Sequence, residues 1–89
     1  MNKFTEVGNS IRQKSKELVI DYMENTFACQ KKGEGQKQAE IFRNCGFDWG
    51  EKVNAISSNQ QYWVVALLRE LEEEGRVERD VDTKKWRLK

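Results

Sequence analysis

The stretch Val64-Val65-Ala66-Leu67-Leu68-Arg69-Glu70-Leu71-Glu72-Glu73-Glu74-Gly75-Arg76-Val77-Glu78-Arg79 changes its periodicity at one residue, Gly75. Before it, Val64, Leu67, Leu68 and Leu71 recur at intervals of three and four, the spacing that keeps side chains on one face of an α-helix. After it the interval drops to two. Val77 alternates with charged neighbours, and beyond Asp82-Thr83-Lys84 the residues Trp86 and Leu88 alternate with Lys85, Arg87 and Lys89. This predicts a helix that stops at Gly75 and a two-stranded hairpin with Val77, Trp86 and Leu88 turned inward. Glycine suits the stop because it adopts left-handed backbone without a Cβ clash. A lone hairpin is marginal in water, so this one has to pack on helices.

Upstream of that stretch, Ser58-Asn59-Gln60-Gln61 has the Ser-x-x-Gln form of a capping box, which starts the helix there with Trp63 flanking its core stripe. An earlier helix is predicted over residues 10–30. Asn9 or Ser10 supplies its cap, and Ile11, Leu18, Val19, Tyr22, Met23 and Phe27 form its apolar stripe. Arg12, Lys14, Lys16, Glu17, Asp21 and Glu24 take the other side. Residues 1–9 read as a loose N-terminal arm. Lys31-Lys32-Gly33-Glu34-Gly35 breaks the helix. A shorter one is predicted over 36–44, with Ala39, Ile41, Phe42 and Cys45 apolar and Gly46 ending it. From Phe47 to Ile56 the sequence fits two readings. One is a helical turn opened by Asp48, with Glu51 reaching back. The other is plain loop, with Phe47, Trp49, Val53 and Ile56 folding onto the core. The fold class is therefore mainly α with a small β-hairpin: three helices followed by a two-stranded antiparallel unit, forming a single domain over residues 10–89. A chain of 89 residues holds one domain and not two.

Composition narrows function by exclusion. The net charge of +1 lacks the large cationic excess of a nucleic-acid-compacting or membrane-surface protein, but leaves room for a local basic face. Nine aromatic residues offset the small size and argue against disorder. No apolar run approaches the roughly 20 residues of a membrane span, and the first residues lack a signal-peptide core, so a cytoplasmic location and no membrane partner are expected. With no histidine and only Cys29 and Cys45 as thiols, a zinc site would have to recruit carboxylates. No metal or cofactor is expected, and the two thiols read as buried or half-buried and, in a cytosolic protein, unbridged. Neither a glycine-rich phosphate loop nor a nucleophile–base constellation is present, so no catalytic residue is assigned and the chain does not read as an enzyme.

The pattern Leu-x-x-Leu-x-x-x-Gly-x-Val, here Leu68, Leu71, Gly75 and Val77, resembles the junction between recognition helix and wing in the winged helix-turn-helix superfamily. The resemblance implies that the third helix enters the DNA major groove by its first turns. Those turns carry Ser57, Ser58, Asn59, Gln60, Gln61 and Tyr62, whose amides and hydroxyls suit base edges and phosphates. It also implies a wing on the DNA backbone through Lys84, Lys85 and Arg87, with Arg76, Arg79 and Lys89 nearby. Lys37, beside Lys31 and Lys32, stands where the second helix would meet phosphates. The implied function is a small transcriptional regulator or DNA-recognition module acting on double-stranded DNA. One departure matters: about a dozen residues separate Asn44 from Ser58, where three or four are usual. A second reading is a protein-interaction module on the same scaffold. It draws on the near-neutral charge, on Glu70, Glu72, Glu73 and Glu74, and on Trp49 as an anchor. Glu78, Asp80 and Asp82 also share the wing with its cations. Superfamily dimers often use a helix beyond the wing. This chain runs to Lys89 on the wing strand, so a monomer is expected, with the first helix and the arm as the remaining dimer face.

Overall fold

The computed structural model describes residues 2–47 and 57–89, with side chains described for 2–47 and 65–89. The order is α1 (Lys3–Glu24), a 3-10 turn (Phe27–Cys29), α2 (Gln38–Asn44), α3 (Ser57–Glu73), β1 (Val77–Arg79) and β2 (Trp86–Leu88). Among these residues the protein is mainly helical with one small antiparallel sheet, as the periodicities indicated. The expected turn opened by Asp48, with Trp49, Val53 and Ile56, lies outside the described residues. Trp63 lies on α3, its side chain outside them.

The largest departure from the sequence reading is in α1. It begins at Lys3, and the side chain of Asn2 accepts the backbone N–H of Thr5 at 2.8 Å. Residues 3–9 are helical and not a loose arm; Asn9 and Ser10 are interior, and the cap sits seven residues earlier than Asn9. A side-chain cap contributes about 1 kcal/mol. The helix also ends early, at Glu24 rather than Gln30, because Gln30 folds back. Its amide donates to the carbonyls of Met23, Glu24 and Thr26, each at 3.0 Å. The buried face is Lys16, Val19, Ile20 and Met23. Of the predicted stripe, Val19 and Met23 are buried and Tyr22 is half-buried. Ile11 and Leu18 face solvent, and Phe27, past the helix end, is 93% exposed. The cause is the position of α3, which packs on the side of α1 that carries Lys16.

The end of α3 behaves as its sequence requires. Gly75 takes φ 74°. Its N–H donates to the carbonyl of Glu72, and the N–H of Arg76 donates to the carbonyl of Leu71, both at 3.0 Å. This pair of bonds closes a Schellman motif and satisfies two carbonyls that the helix leaves open. Left-handed backbone costs a residue with a Cβ about 1–2 kcal/mol, so Gly75 fixes where the hairpin starts. The strands pair Val77 with Leu88, Glu78 with Arg87 and Arg79 with Trp86. Val77 and Trp86 are buried and Leu88 half-buried, matching the inward face expected.

The core joins Val19, Ile20 and Met23 of α1, Cys29 of the 3-10 turn, Ile41 and Phe42 of α2, Leu67, Leu68 and Leu71 of α3, and Val77 and Trp86 of the hairpin. Trp86 is fully buried, but its indole N–H has no acceptor among the described residues. The guanidinium groups of Arg69 and Arg79 lie over its ring at 5.5 and 5.7 Å. The glutamate run ending α3 meets cations of its own chain. Glu74 holds the buried Lys16 at 2.5 Å, Glu70 approaches Arg12 at 3.9 Å and Glu72 pairs with Arg69 at 3.1 Å.

Candidate nucleic-acid interface

The basic loop 31–37 is fixed by close backbone approach. The Gly33 N–H donates to the Gln30 carbonyl at 2.8 Å, and the Gly35 N–H to the Ala28 carbonyl at 2.6 Å. Gly35 has φ 85°, and a Cβ there would stand 2.9 Å from the Trp86 carbonyl oxygen and 3.0 Å from Lys85 Cβ. Only glycine fits that conformation at that distance. The next residue, Gln36, then forms an antiparallel bridge with Trp86: each N–H donates to the other's carbonyl, at 2.9 and 2.8 Å. The Gln36 side chain is held as well. Its Oε1 accepts from the Tyr22 hydroxyl at 2.5 Å, and that hydroxyl accepts from the Asn44 amide at 2.8 Å. The loop and the hairpin are thus stitched together, with Lys31, Lys32 and Lys37 on one side of the seam and Lys84 and Lys85 on the other.

These cations differ in their partners. Lys37 occupies the position just ahead of α2, and its carbonyl accepts the N–H of Ile41 at 3.1 Å. Lys85 pairs with Glu34 across the seam at 3.2 Å. Arg87 sits between two carboxylates, Glu78 at 2.6 Å and Asp80 at 3.3 Å. Arg76 is drawn to Glu17 at 2.8 Å. Lys31, Lys32, Lys37 and Lys84 have no carboxylate partner among the described residues. Strand alternation does not separate the signs on the hairpin, since Arg87 and Glu78 are cross-strand neighbours on one face. Ser57, Ser58, Asn59, Gln60, Gln61 and Tyr62 form the first turns of α3, with Ser58 inside the helix rather than ahead of it. Their side chains lie outside the described residues.

Sequence reasoning missed the backbone of the two exposed lysines. Lys32 and Lys84 are the non-glycine residues with positive φ among those described, at 62° and 65°. Each stands at a tight turn of the basic seam. The hairpin turn itself is organised by Asp80, whose carboxylate accepts the N–H groups of Thr83 at 2.8 Å and Asp82 at 2.9 Å. Those two backbone donors, and then Arg87, hold the Asp80 carboxyl down at about 2, against an ordinary 3.8. A depressed folded-state value means that the turn gains stability from this group above pH 3.8 and loses it as the pH falls towards about 2. The Asp82 and Thr83 amide resonances are therefore expected to titrate with a midpoint near 2, and Asp80→Asn should abolish the transition. A midpoint at the ordinary carboxylate value would contradict this turn.

Both thiols are held protonated at neutral pH. Burial, then the Glu40 carboxylate, pushes Cys29 up to about 11, and burial, then the nearby Cys29, does the same to Cys45. Cys29 is buried, Cys45 half-buried, and both are free thiols. Among the described residues no group of carboxylates and thiols is arranged to hold a metal ion, and no helix is long and apolar enough to cross a membrane. No family model matches this chain, and no curated protein or solved structure is significantly similar to it.

Proposed function

We propose that this chain is a winged helix-turn-helix domain that binds double-stranded DNA, reading bases with the first turns of α3 and gripping phosphates with the basic seam and the wing. The observation that carries the reading is the seam. The Gln36–Trp86 bridge joins the two segments that carry lysine groups some fifty residues apart in sequence, and four of their members have no carboxylate partner among the described residues. Unpaired cations along a rigid ridge are what phosphate contact requires, because each releases a condensed counterion on binding. The helix run of Ser57, Ser58, Asn59, Gln60, Gln61 and Tyr62 supplies groups suited to base edges. The rival reading as a protein-interaction module drew on the glutamates of α3. Three of those four have cations within the chain, which removes that support.

Titration of a mixed-sequence duplex at low salt, followed by anisotropy and by chemical shift, tests the proposal. Saturable binding is expected, with shifts at Lys31, Lys32, Lys37, Lys84 and the start of α3. Changing those four lysines to glutamine should weaken binding at least about tenfold and reduce the slope of log K against log salt by about 3.6. Absence of saturable binding, or a quadruple variant that binds like the parent, would reject the assignment.

Lys84→Gly gives a sharper version. Left-handed backbone costs lysine about 1–2 kcal/mol, while glycine's extra unfolded-state freedom returns part of the gain, about 0.5–1 kcal/mol. The variant should be as stable as the parent or up to about 1 kcal/mol more stable, yet bind duplex more weakly. A variant that gains stability without losing affinity would place Lys84 off the DNA.

A further inference from the structure

We propose that the exposed stripe of α1 is a self-association surface, on which a second copy of this chain packs antiparallel with Ile11 at the symmetry axis. At about 100° per residue, Phe4, Gly8, Ile11, Ser15 and Leu18 fall on one line of α1, separate from the face that carries Val19, Ile20 and Met23. Its apolar members stand in water: Phe4 is 78% exposed, Ile11 59% and Leu18 42%, with Val7 at the edge 54% exposed. Together they form a strip on the order of 400 Å², the scale at which an exposed apolar patch marks an interaction site.

The strip itself selects the occupant. Phe4, Ile11 and Leu18 are spaced by seven residues, the repeat of helix-pair seams, and the series is symmetric about Ile11. A reversed copy laid on it sets Ile11 against Ile11 and Phe4 against Leu18. Gly8 and Ser15 are the small residues on the line, one on each side of Ile11. A Cβ on Gly8 would meet nothing within 4 Å, so no contact among the described residues calls for a glycine that weakens the helix. Its missing side chain leaves room for a second helix to approach closely. A groove of about 480 Å³ opens beside it between α1 and α3, lined by Gly8, Ile11, Ser15, Ala66 and Leu67 and rimmed by Arg12 and Glu70.

Charge fixes the direction. Arg12, Lys16 and Glu17 are engaged by Glu70, Glu74 and Arg76 of the same chain; of the other charges on the helix, residues 3–16 carry Lys3 and Lys14 against Glu6, and residues 17–24 carry Asp21 and Glu24 and no cation. A parallel pair would set like charge on like, and an antiparallel pair sets opposite charges together. Lys3 and Asp21 lie on the same flank of the line at its two ends, so reversal brings Lys3 near Asp21 of the second copy. The surface is complementary to itself, and no helix beyond the wing is needed for a dimer.

Sedimentation velocity of the full chain from low micromolar to several hundred micromolar is expected to show a reversible monomer–dimer equilibrium. Ile11→Glu and Phe4→Glu, on separate turns, should each give a monomer with an unchanged unfolding midpoint, since both side chains are exposed. Lys3→Asp should weaken the dimer, and adding Asp21→Lys should restore it. Under mild oxidation Ile11→Cys should cross-link to itself. Phe4→Cys should not, because its two copies would stand roughly 21 Å apart along the helices. A monomer at every concentration, a dimer that survives Ile11→Glu, or cross-linking through Phe4→Cys and not Ile11→Cys overturns the proposal.

Discussion

Replacing Trp86 with alanine is expected to cost about 3–5 kcal/mol, the usual range for a buried large aromatic. A domain of this size is held by roughly 5–10 kcal/mol, so one substitution removes about half of its stability. The thermal midpoint should fall by at least about 15 °C. The magnitude follows from position. Trp86 is fully buried in the core shared by all three helices, and its main chain makes both bonds of the bridge to Gln36. The cavity would open where the hairpin, the basic loop and the helices meet, and the backbone bridge would lose the packing beneath it. Trp86→Phe separates volume from polarity. The indole N–H has no acceptor among the described residues, so phenylalanine removes a buried donor that already carries a desolvation cost of about 1–3 kcal/mol. That relief offsets part of the lost volume, and the phenylalanine variant should cost under about 2 kcal/mol. Equal losses for phenylalanine and alanine, read from urea unfolding, would mean that the indole N–H is paired.

What was legible in the sequence follows the range of the interactions involved. The end of α3 and the hairpin are local events. Gly75, the switch of period and the alternation of Val77, Trp86 and Leu88 encode them within a short window, and the structure agrees there. The start of α1 failed for a local reason of another kind. Asn2 caps as well as Asn9 or Ser10 does, and Val7 and Ile11 carry helical spacing straight through the supposed arm. The face of α1 could not be read, because Leu18 and Ile20 are equally apolar and only the position of α3 decides between them. The seam was invisible for the same reason. Nothing around Gln36 announces pairing with a residue fifty positions later, and Gly35 read as a breaker when it is also a point of backbone contact. Lys85 and Arg87 were legible as cations, but not their carboxylates, since Glu34 is remote and the Glu78 pairing depends on strand register.

Glu74→Ala is expected to destabilise the protein by about 2–3 kcal/mol, while Lys16→Met leaves it within about 1 kcal/mol of the parent. The sequence placed Lys16 on the solvent side of its helix; instead it is buried, with its ammonium 2.5 Å from Glu74. Breaking a buried pair from one side strands an uncompensated charge, at about 3–5 kcal/mol when both partners are fully buried. Glu74 is half-exposed, so water can reach the vacated place and the loss is smaller. A second effect runs the other way. Glu74 lies at the C-terminal end of α3, where negative charge opposes the helix dipole by about 0.3–1 kcal/mol, and alanine relieves that. The stranded ammonium is the larger of the two, which fixes the sign. Methionine at position 16 keeps most of the volume and removes both the buried charge and its desolvation, so the remaining carboxylate simply faces water. The double variant should then differ little from Lys16→Met alone, because once the ammonium is gone Glu74 keeps only a solvent-exposed approach to Arg76 at 3.9 Å, set against the unfavourable dipole. Chemical unfolding of the three variants tests the order, and a Lys16→Met variant less stable than Glu74→Ala would reverse it and show that Lys16 serves the core by its charge.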